Sequence, residues 1–377
     1  MTAPGRPVSV VLAGGGSAGH TSPLIATAEQ LRTLRPDVML TAVGTARGLE
    51  THTVPAAGLA LELIPPVPMP RKPGADLLRV PGRLRTAVRA AGVILAAHRA
   101  DVVLGFGGYV STPVYLAARR AGVPIVLHEQ NALPGLANKL AARLTHEVAT
   151  TFPGTPLPHG RTIGLPLRSA ITGLGHDEHD RAALRAEARA HFGLHPDRPV
   201  LLVTGGSQGA QQINSAVTGA RTRLLRCGIQ VLHVLGPRNL AADDGPTVDG
   251  DTGAVYVPLG YLDAIERAYA AADLMLGRAG ASTVCEAAVV GLPTIFVPYP
   301  VGNGEQARNA TAVVAAGGGM LVRDADCTAD WLAAALRGLV DDPVRLEQMS
   351  AAMRSAATPD AARALAEWTL EVAGRKT

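Results

Sequence analysis

Aromatic side chains are scarce. Phe, Trp and Tyr make up 3% of the 377 residues, although hydrophobic residues overall reach 47%. Packing must therefore rest on Ala, Val and Leu. Cysteine is scarcer still: Cys227, Cys285 and Cys327 are far apart and odd in number. That argues against a disulfide framework and a Cys-x-x-Cys metal site, and fits a reducing cytosol. No run of about 18 apolar residues free of Gly and Pro occurs, so no transmembrane helix is expected and any membrane contact is peripheral. The opening apolar run Val8–Leu12 is broken too soon by Gly14 to read as a signal peptide. No period of about 20–50 residues repeats, which speaks against a solenoid. Net charge is small, +4, but the isoelectric point near 9.2 marks a mild basic excess that suits anionic partners without identifying them.

Glycine and proline are abundant, 42 and 28 residues, as expected for many short loops between regular elements. The length suits two domains. Short β-branched runs alternate with Ala/Leu-rich stretches. In the first half the expected strands are 8–12, 39–43, 61–64, 101–104, 124–127 and 147–150. In the second they are 200–204, 230–235, 254–258, 274–276, 294–297 and 320–322. Helical patterns such as 23–34, 113–120 and 137–144 lie between them. Strands alternating with helices imply parallel sheets covered on both faces. Both halves open alike. Val8–Leu12 runs into Gly14-Gly15-Gly16-Ser17, and Val200–Thr204 into Gly205-Gly206-Ser207, an offset of 191 residues (205 − 14). The expected fold class is α/β: two Rossmann-like doubly wound domains facing a cleft. Their expected bounds are 1–164 and 165–354, with a last helix over about 355–377 returning to the first domain. The charged stretch 173–199 reads as a solvated helix and linker.

Seven segments carry candidate chemistry. Gly14-Gly15-Gly16-Ser17-Ala18-Gly19-His20 follows a strand, where glycines let backbone N–H groups approach an anion. It lacks the Gly-Lys-Ser/Thr ending of a P-loop, and His20 beside it is a usable base near neutral pH. Gly205-Gly206-Ser207-Gln208-Gly209-Ala210 repeats the design and would suit a pyrophosphate, since ligands of open α/β sheets lie off the carboxyl ends of the strands. Arg278-Ala279-Gly280-Ala281-Ser282-Thr283-Val284-Cys285-Glu286 would start a helix at the cleft. From spacing alone Glu286 is equally a ribose ligand or a first-turn cap. The loop Pro298–Gln306 is either a sugar-binding loop or a polar turn. His128-Glu129-Gln130-Asn131 ends a buried strand, where four polar residues are costly without partners, and Gly105–Tyr109 ends the neighbouring strand. Finally, 71–99 carries Arg71, Lys72, Arg79, Arg83, Arg85, Arg89 and Arg99 against Asp76, interleaved with Leu77, Leu78, Val80, Leu84 and Val88. Such a stretch can lie on an anionic bilayer, or be a solvated face whose leucines belong to the core. It lacks Tyr, Trp and any recognition motif, so nucleic acid is not expected as a partner.

Taken in order, the segments Gly14–His20, Gly105–Ser111, His128–Asn131, Gly205–Ala210 and Arg278–Glu286 resemble the MurG family, the N-acetylglucosaminyltransferases of peptidoglycan synthesis. The likeness runs from Val8 to about Ala310. The loop Pro300–Gln306 and the Ala- and Arg-rich composition resemble its actinobacterial branch. The resemblance implies the GT-B fold and inverting transfer of GlcNAc from UDP-GlcNAc to the 4-hydroxyl of MurNAc in lipid I, giving lipid II. No Asp-x-Asp site stands beside the donor loops, so a displacement without metal or cofactor is expected. The resemblance implies work at the cytoplasmic face of the cell membrane as a peripheral protein serving wall growth, cell shape, division and the cell cycle. Other wall-synthesis proteins would be natural partners. Residue by residue, it places Arg168 and Ser207 at the pyrophosphate, Leu262 on uracil, Ala281, Ser282 and Thr283 near the phosphates, and Glu286 on the ribose. Glu305 and Gln306 would read the sugar hydroxyls. Ser17, Ala18, Gly19 and Asn131 would close on the sugar, and His20 would be the catalytic base. Leu77, Leu78, Arg79, Arg83, Leu84 and Arg85 would form the membrane surface. Ala18, Leu165 and Glu305 depart from the family pattern, and Glu305 bears on how GlcNAc is told from other UDP-hexoses. The rivals are a UDP-GlcNAc 2-epimerase on the same fold and a non-enzymatic binding module. A dehydrogenase is disfavoured, because Gly44-Thr45-Ala46-Arg47 stands where the acidic residue of a dinucleotide site belongs.

Overall fold

The structure is a computed structural model that describes residues 6–67, 75–175, 178–206, 210–241 and 244–375, with the backbone alone at 18, 75–78, 175, 178 and 179. The chain divides into two compact units. One is Met1–Arg168 with Pro359–Thr377, the other Ser169–Thr358. The division falls at Arg168, four residues beyond the expected Gly164, and 160–164 is fastened to the first sheet. Gly160–Thr162 adds a strand there, the N–H groups of Ile163 and Gly164 donate to the Thr150 carbonyl, and His128 Nε2 lies 2.9 Å from the Gly164 carbonyl.

The first unit has seven strands: β1 (Ser9–Gly14), β2 (Met39–Gly44), β3 (Ala60–Leu63), β4 (Val102–Gly107), β5 (Ile125–Glu129), β6 (Glu147–Thr150) and β7 (Gly160–Thr162). They are ordered β3-β2-β1-β4-β5-β6-β7, all parallel. The second unit has β8 (Val200–Thr204), β9 (Gln230–Val234), β10 (Thr247–Val248), β11 (Val255–Leu259), β12 (Leu274–Gly277), β13 (Thr294–Phe296) and β14 (Gly319–Leu321), ordered β10-β11-β9-β8-β12-β13-β14. Among the described residues only the edge pair β10–β11 is antiparallel. Apart from the edge strands β7 and β10, both units share one doubly wound order with a switch point beside the first strand. The twelve expected strands are all present to within a few residues. β7 falls in the strand-like stretch that ends at Ile163; β10 was not expected, being two residues long and exposed, so no apolar alternation betrays it.

Central strands are buried on both faces, as parallel sheets require. Along β1, Val10 and Leu12 enter one core with Leu24, Leu31 and Val126, while Val11 and Ala13 enter another with Val103, Tyr115 and Leu127. The last helix, Ala361–Gly374, adds Leu365, Ala366 and Trp368 to the first of these. In the second unit Leu201, Val203, Leu276 and Ile295 meet Ile213, Val217 and Leu336.

The foot of each sheet is locked by the same device. Asp101 precedes β4 and accepts the N–H of Ser9, at the start of β1, at 2.9 Å. Asp273 precedes β12 and accepts the N–H of Val200, at the start of β8, at 2.7 Å. Arg6 pairs with the first aspartate; Arg185 and Arg189 pair with the second. The expected solvated helix is therefore only partly solvated. Glu178–His191 turns Arg189, 2% exposed, into the base of the unit.

Candidate active site

The first glycine loop leaves β1 and turns at Gly16 (φ 85°) into the helix Ala18–Leu34. That helix starts five residues earlier than its expected Pro23, so Gly19 and His20 belong to its first turn. Ser17 is its extended N-cap residue, and its hydroxyl lies 2.8 Å from His20 Nδ1. Burial pushes the imidazole down to about 4, opposed by the negative charge of Glu50. His20 is therefore neutral at physiological pH.

The anion-binding expectation for this loop needs correction. The Gly16 N–H does not point to open space. It donates to Glu50 Oε2 at 2.8 Å, and Glu50 is 1% exposed. A carboxylate already holds that donor, so the Gly16 N–H is not available to an incoming phosphate. Sequence reasoning missed Glu50, which stands 30 residues from His20 at the start of a short helix, Glu50–Ala56.

Two other expected segments gather at the same loop. A Cβ on Gly108 (φ 82°) would come within 2.6 Å of the Gly15 carbonyl, so the turn after β4 rests on the loop backbone. A Cβ on Gly19 would meet Gln130 Nε2 at 3.2 Å, which places the end of β5 beside the helix start. The cost of four polar residues at that strand end is met by a network. Glu129 accepts from the N–H groups of Asn131 (2.9 Å) and Gly135 (3.1 Å) and from Asn138 Nδ2 (2.9 Å). Asn138 Oδ1 accepts from the Tyr115 hydroxyl, which itself receives the Gly107 N–H. His128 and Glu129 are thus supports, and they present Gln130 and Asn131.

In the second unit Gly205 and Gly206 follow β8; Ser207, Gln208 and Gly209 lie outside the described residues. Ala281, Ser282 and Thr283 form the first turn of the helix Ala281–Val290, whose N-cap is the extended Gly280 with no side-chain cap. Its first backbone N–H groups face outward along the axis, a ready anion site. Glu286 is not a first-turn cap. Its Oε2 accepts from the Tyr269 hydroxyl at 2.8 Å, and Tyr269 is 3% exposed. Tyr269 gave no signal in the sequence beyond an aromatic in an Ala-rich helix. Gln306 Oε1 accepts the Tyr299 N–H at 2.9 Å, and Glu305 opens the helix Glu305–Asn309. Asn309 Nδ2 donates to the Ala279 carbonyl at 3.2 Å, tying that helix to the Gly280 turn. Arg278 is buried and structural: it donates to the carbonyls of Val297 and Pro298 and pairs with Asp324. Leu262 follows β11 and lines a hollow of about 440 Å³ with Tyr261, Asp263 and Arg267. Arg168 ends the first unit, and the next helix, Ser169–Thr172, packs against Ala281–Val290.

The basic segment is the helix Ala75–Ala97. Arg79, Arg83, Arg85 and Arg89 are exposed, whereas Leu84 packs on the core and Val88 is 4% exposed. Leu84 is thus a core contact, correcting its expected place on an outer surface. Arg71 and Lys72 lie outside the described residues, as do the side chains of Ala18, Leu77 and Leu78. Among the described residues no helix is long and apolar enough to cross a membrane, and no three His, Cys, Asp or Glu side chains group as a metal site.

Known proteins agree with this architecture. Residues 10–150 match the glycosyltransferase family 28 N-terminal domain, and residues 200–365 the family 28 C-terminal domain. The chain is a two-unit glycosyltransferase of the GT-B type. It is 57% identical to a UDP-N-acetylglucosamine–N-acetylmuramyl-(pentapeptide) pyrophosphoryl-undecaprenol N-acetylglucosamine transferase of a Nocardioides species, over 96% of this chain and 98% of that one. The protein of the same name from Cutibacterium acnes is also 57% identical, over 95% and 96%. The crystal structure of Acinetobacter baumannii MurG superposes with a TM-score of 0.75 at 25% identity, covering 97% of this chain and 100% of that one. The chain belongs to the MurG family.

Proposed function

We propose that this protein transfers GlcNAc from UDP-GlcNAc to the 4-hydroxyl of MurNAc in lipid I, yielding lipid II with inversion at the anomeric carbon. The second unit holds the donor and His20 of the first supplies the base. The observation that carries the catalytic part is the Ser17–His20 pair: the hydroxyl engages Nδ1 at 2.8 Å and leaves Nε2 for the acceptor. The imidazole is neutral, the form a base requires. Nε2 takes the acceptor proton as the hydroxyl oxygen bonds to the anomeric carbon. The bond to UDP breaks on the opposite face in the same step, so no covalent intermediate forms. The charge left on the diphosphate is met by the first-turn N–H groups of Ala281–Thr283 and by Arg168 and Ser207. Glu286 accepts the ribose hydroxyls, Leu262 packs on uracil, and Glu305 and Gln306 read the sugar. Ser17, Gly19 and Asn131 flank the transferred sugar. This displacement asks for no cofactor or metal.

The acceptor is lipid-linked, and the exposed arginines of Ala75–Ala97 support docking on an anionic membrane surface. A peripheral position on the cytoplasmic face follows, where the product would serve wall growth, cell shape and division.

The direct test is transfer of labelled GlcNAc from UDP-GlcNAc to a lipid I analogue. The wild type should form a labelled disaccharide lipid. His20→Ala should lower kcat by about 10²–10⁴-fold with UDP affinity unchanged. Release of UDP-ManNAc without acceptor would point to an epimerase and overturn the assignment. Full activity of His20→Ala would overturn the role of the base.

A further inference from the structure

Glu50 is a buried carboxylate that the reaction as described leaves unused. Its Oε2 accepts the Gly16 N–H at 2.8 Å. Its Oε1 accepts the Thr45 N–H at 3.0 Å and the Thr45 hydroxyl at 3.2 Å. Among the described residues no cation pairs with it. A buried charge without a counter-ion is expensive, and a structure needing only a loop brace could use a neutral amide. Instead, three separate segments make room for the acid. A Cβ would come within 1.8 Å of Oε2 at Gly48, 2.5 Å of Cγ at Gly44 and 2.7 Å of Cδ at Gly15. Burial works against ionisation here. The N–H groups of Gly16, Thr45 and Glu50 itself, with the Thr45 hydroxyl, outweigh it and keep the carboxyl below its ordinary value. The carboxyl is therefore charged at neutral pH.

The charge bears on one titratable group of the site. Ser17 Oγ is the hydrogen-bond partner of His20, and Glu50 is the charge that acts on it. We propose that Glu50 is the positioning residue of His20: through the Gly16 N–H it fixes the loop whose next residue, Ser17, holds the imidazole, and its negative charge stabilises the imidazolium formed when His20 takes the acceptor proton. This rests on His20 being the base. It assigns the buried carboxylate a task that changes during turnover, since the favourable interaction grows as positive charge develops on the ring.

The experiment compares wild type, Glu50→Gln, Gly48→Ala and His20→Ala in the full-length protein with UDP-GlcNAc and a lipid I analogue. Glu50→Gln keeps shape and removes charge. It should lower kcat about 30- to 100-fold, leave KM for UDP-GlcNAc within about twofold, and move the acid limb of kcat/KM to lower pH, because the imidazole becomes a weaker base. Gly48→Ala keeps the charge and displaces it, since Gly48 has no left-handed backbone to strain. It should lower kcat about tenfold with donor KM unchanged, and it carries the test should Glu50→Gln fail to fold. A purely structural role predicts a different result: kcat and donor KM worsening together with melting temperature while the acid limb stays in place. That result, or wild-type kcat in both variants, overturns the proposal. Wild-type activity in His20→Ala would instead remove the base on which it rests, a failure read separately.

Discussion

Glu286 offers the sharpest quantitative test of the donor site, because the structure says what holds it. The Tyr269 hydroxyl donates to Oε2 at 2.8 Å from a side chain only 3% exposed, so the carboxylate is aimed before ligand arrives. A hydrogen bond to a charged acceptor contributes about 1.5–3 kcal/mol. If Glu286 accepts two ribose hydroxyls as proposed, Glu286→Ala removes such an acceptor, and about 3 kcal/mol corresponds to a ~100-fold weaker Kd for UDP. Tyr269→Phe leaves the carboxylate in place and removes its guide. About 1 kcal/mol, or roughly fivefold, is expected. In the Glu286→Ala background the hydroxyl has no carboxylate to aim, so Tyr269→Phe should then cost almost nothing. Titration calorimetry with UDP and 2′-deoxy-UDP on the four proteins closes the cycle. The wild type should prefer UDP, and Glu286→Ala should bind both equally. If Tyr269→Phe costs the same in both backgrounds, or Glu286→Ala still discriminates the 2′-hydroxyl, the assignment of Glu286 to the ribose is wrong.

The two sheet-foot aspartates should differ in cost. Asp273→Asn strips Arg189, 2% exposed, of its counter-charge, for about 3–5 kcal/mol, or a fall of about 10 °C in the melting temperature of the second unit. Asp101→Asn faces the half-exposed Arg6 and should cost the first unit about 1 kcal/mol; equal shifts by calorimetry would contradict the reasoning. Burial pushes His128 and His233, both 0% exposed, down to about 4. The unfolded chain binds protons there from about pH 6.5 downward while the folded one refuses them. Stability is full above that pH and falls as pH drops toward 4, by about 2 kcal/mol per histidine between pH 6.5 and 5. Urea titrations at the two pH values check this, and His128→Asn should flatten the slope of the first unit.

Much of the architecture was legible because parallel strands buried on both faces leave unbroken apolar runs, and because glycine loops mark their carboxyl ends. Val8–Leu12 and Val200–Thr204 announced two equivalent units before any contact was known. The features that escaped notice share a physical reason. β10 is two residues long and exposed, so its side chains carry no pattern. Glu50 and Tyr269 act through tertiary neighbours, so neither spacing nor composition singles them out. In 75–97 the alternation of arginine and leucine fits a membrane face and a core-facing helix equally. Only packing places Leu84 and Val88 inward. His20 was readable as a candidate base, but the carboxylate behind its loop was not.

The last helix has a consequence for how the protein is made. Trp368 and Arg375 both reach Glu147 at 2.7 Å, and Leu365 and Ala366 complete the packing around Val10 and Leu12. The first unit is therefore discontinuous in the chain, while the second is a single stretch, Ser169–Thr358. On the ribosome, where domains fold as they emerge, the later unit is complete before the earlier one can be closed. Until the helix Ala361–Gly374 leaves the tunnel, β1 and the helix Ala18–Leu34 wait with part of their apolar face uncovered, so the earlier unit is sealed after the later one.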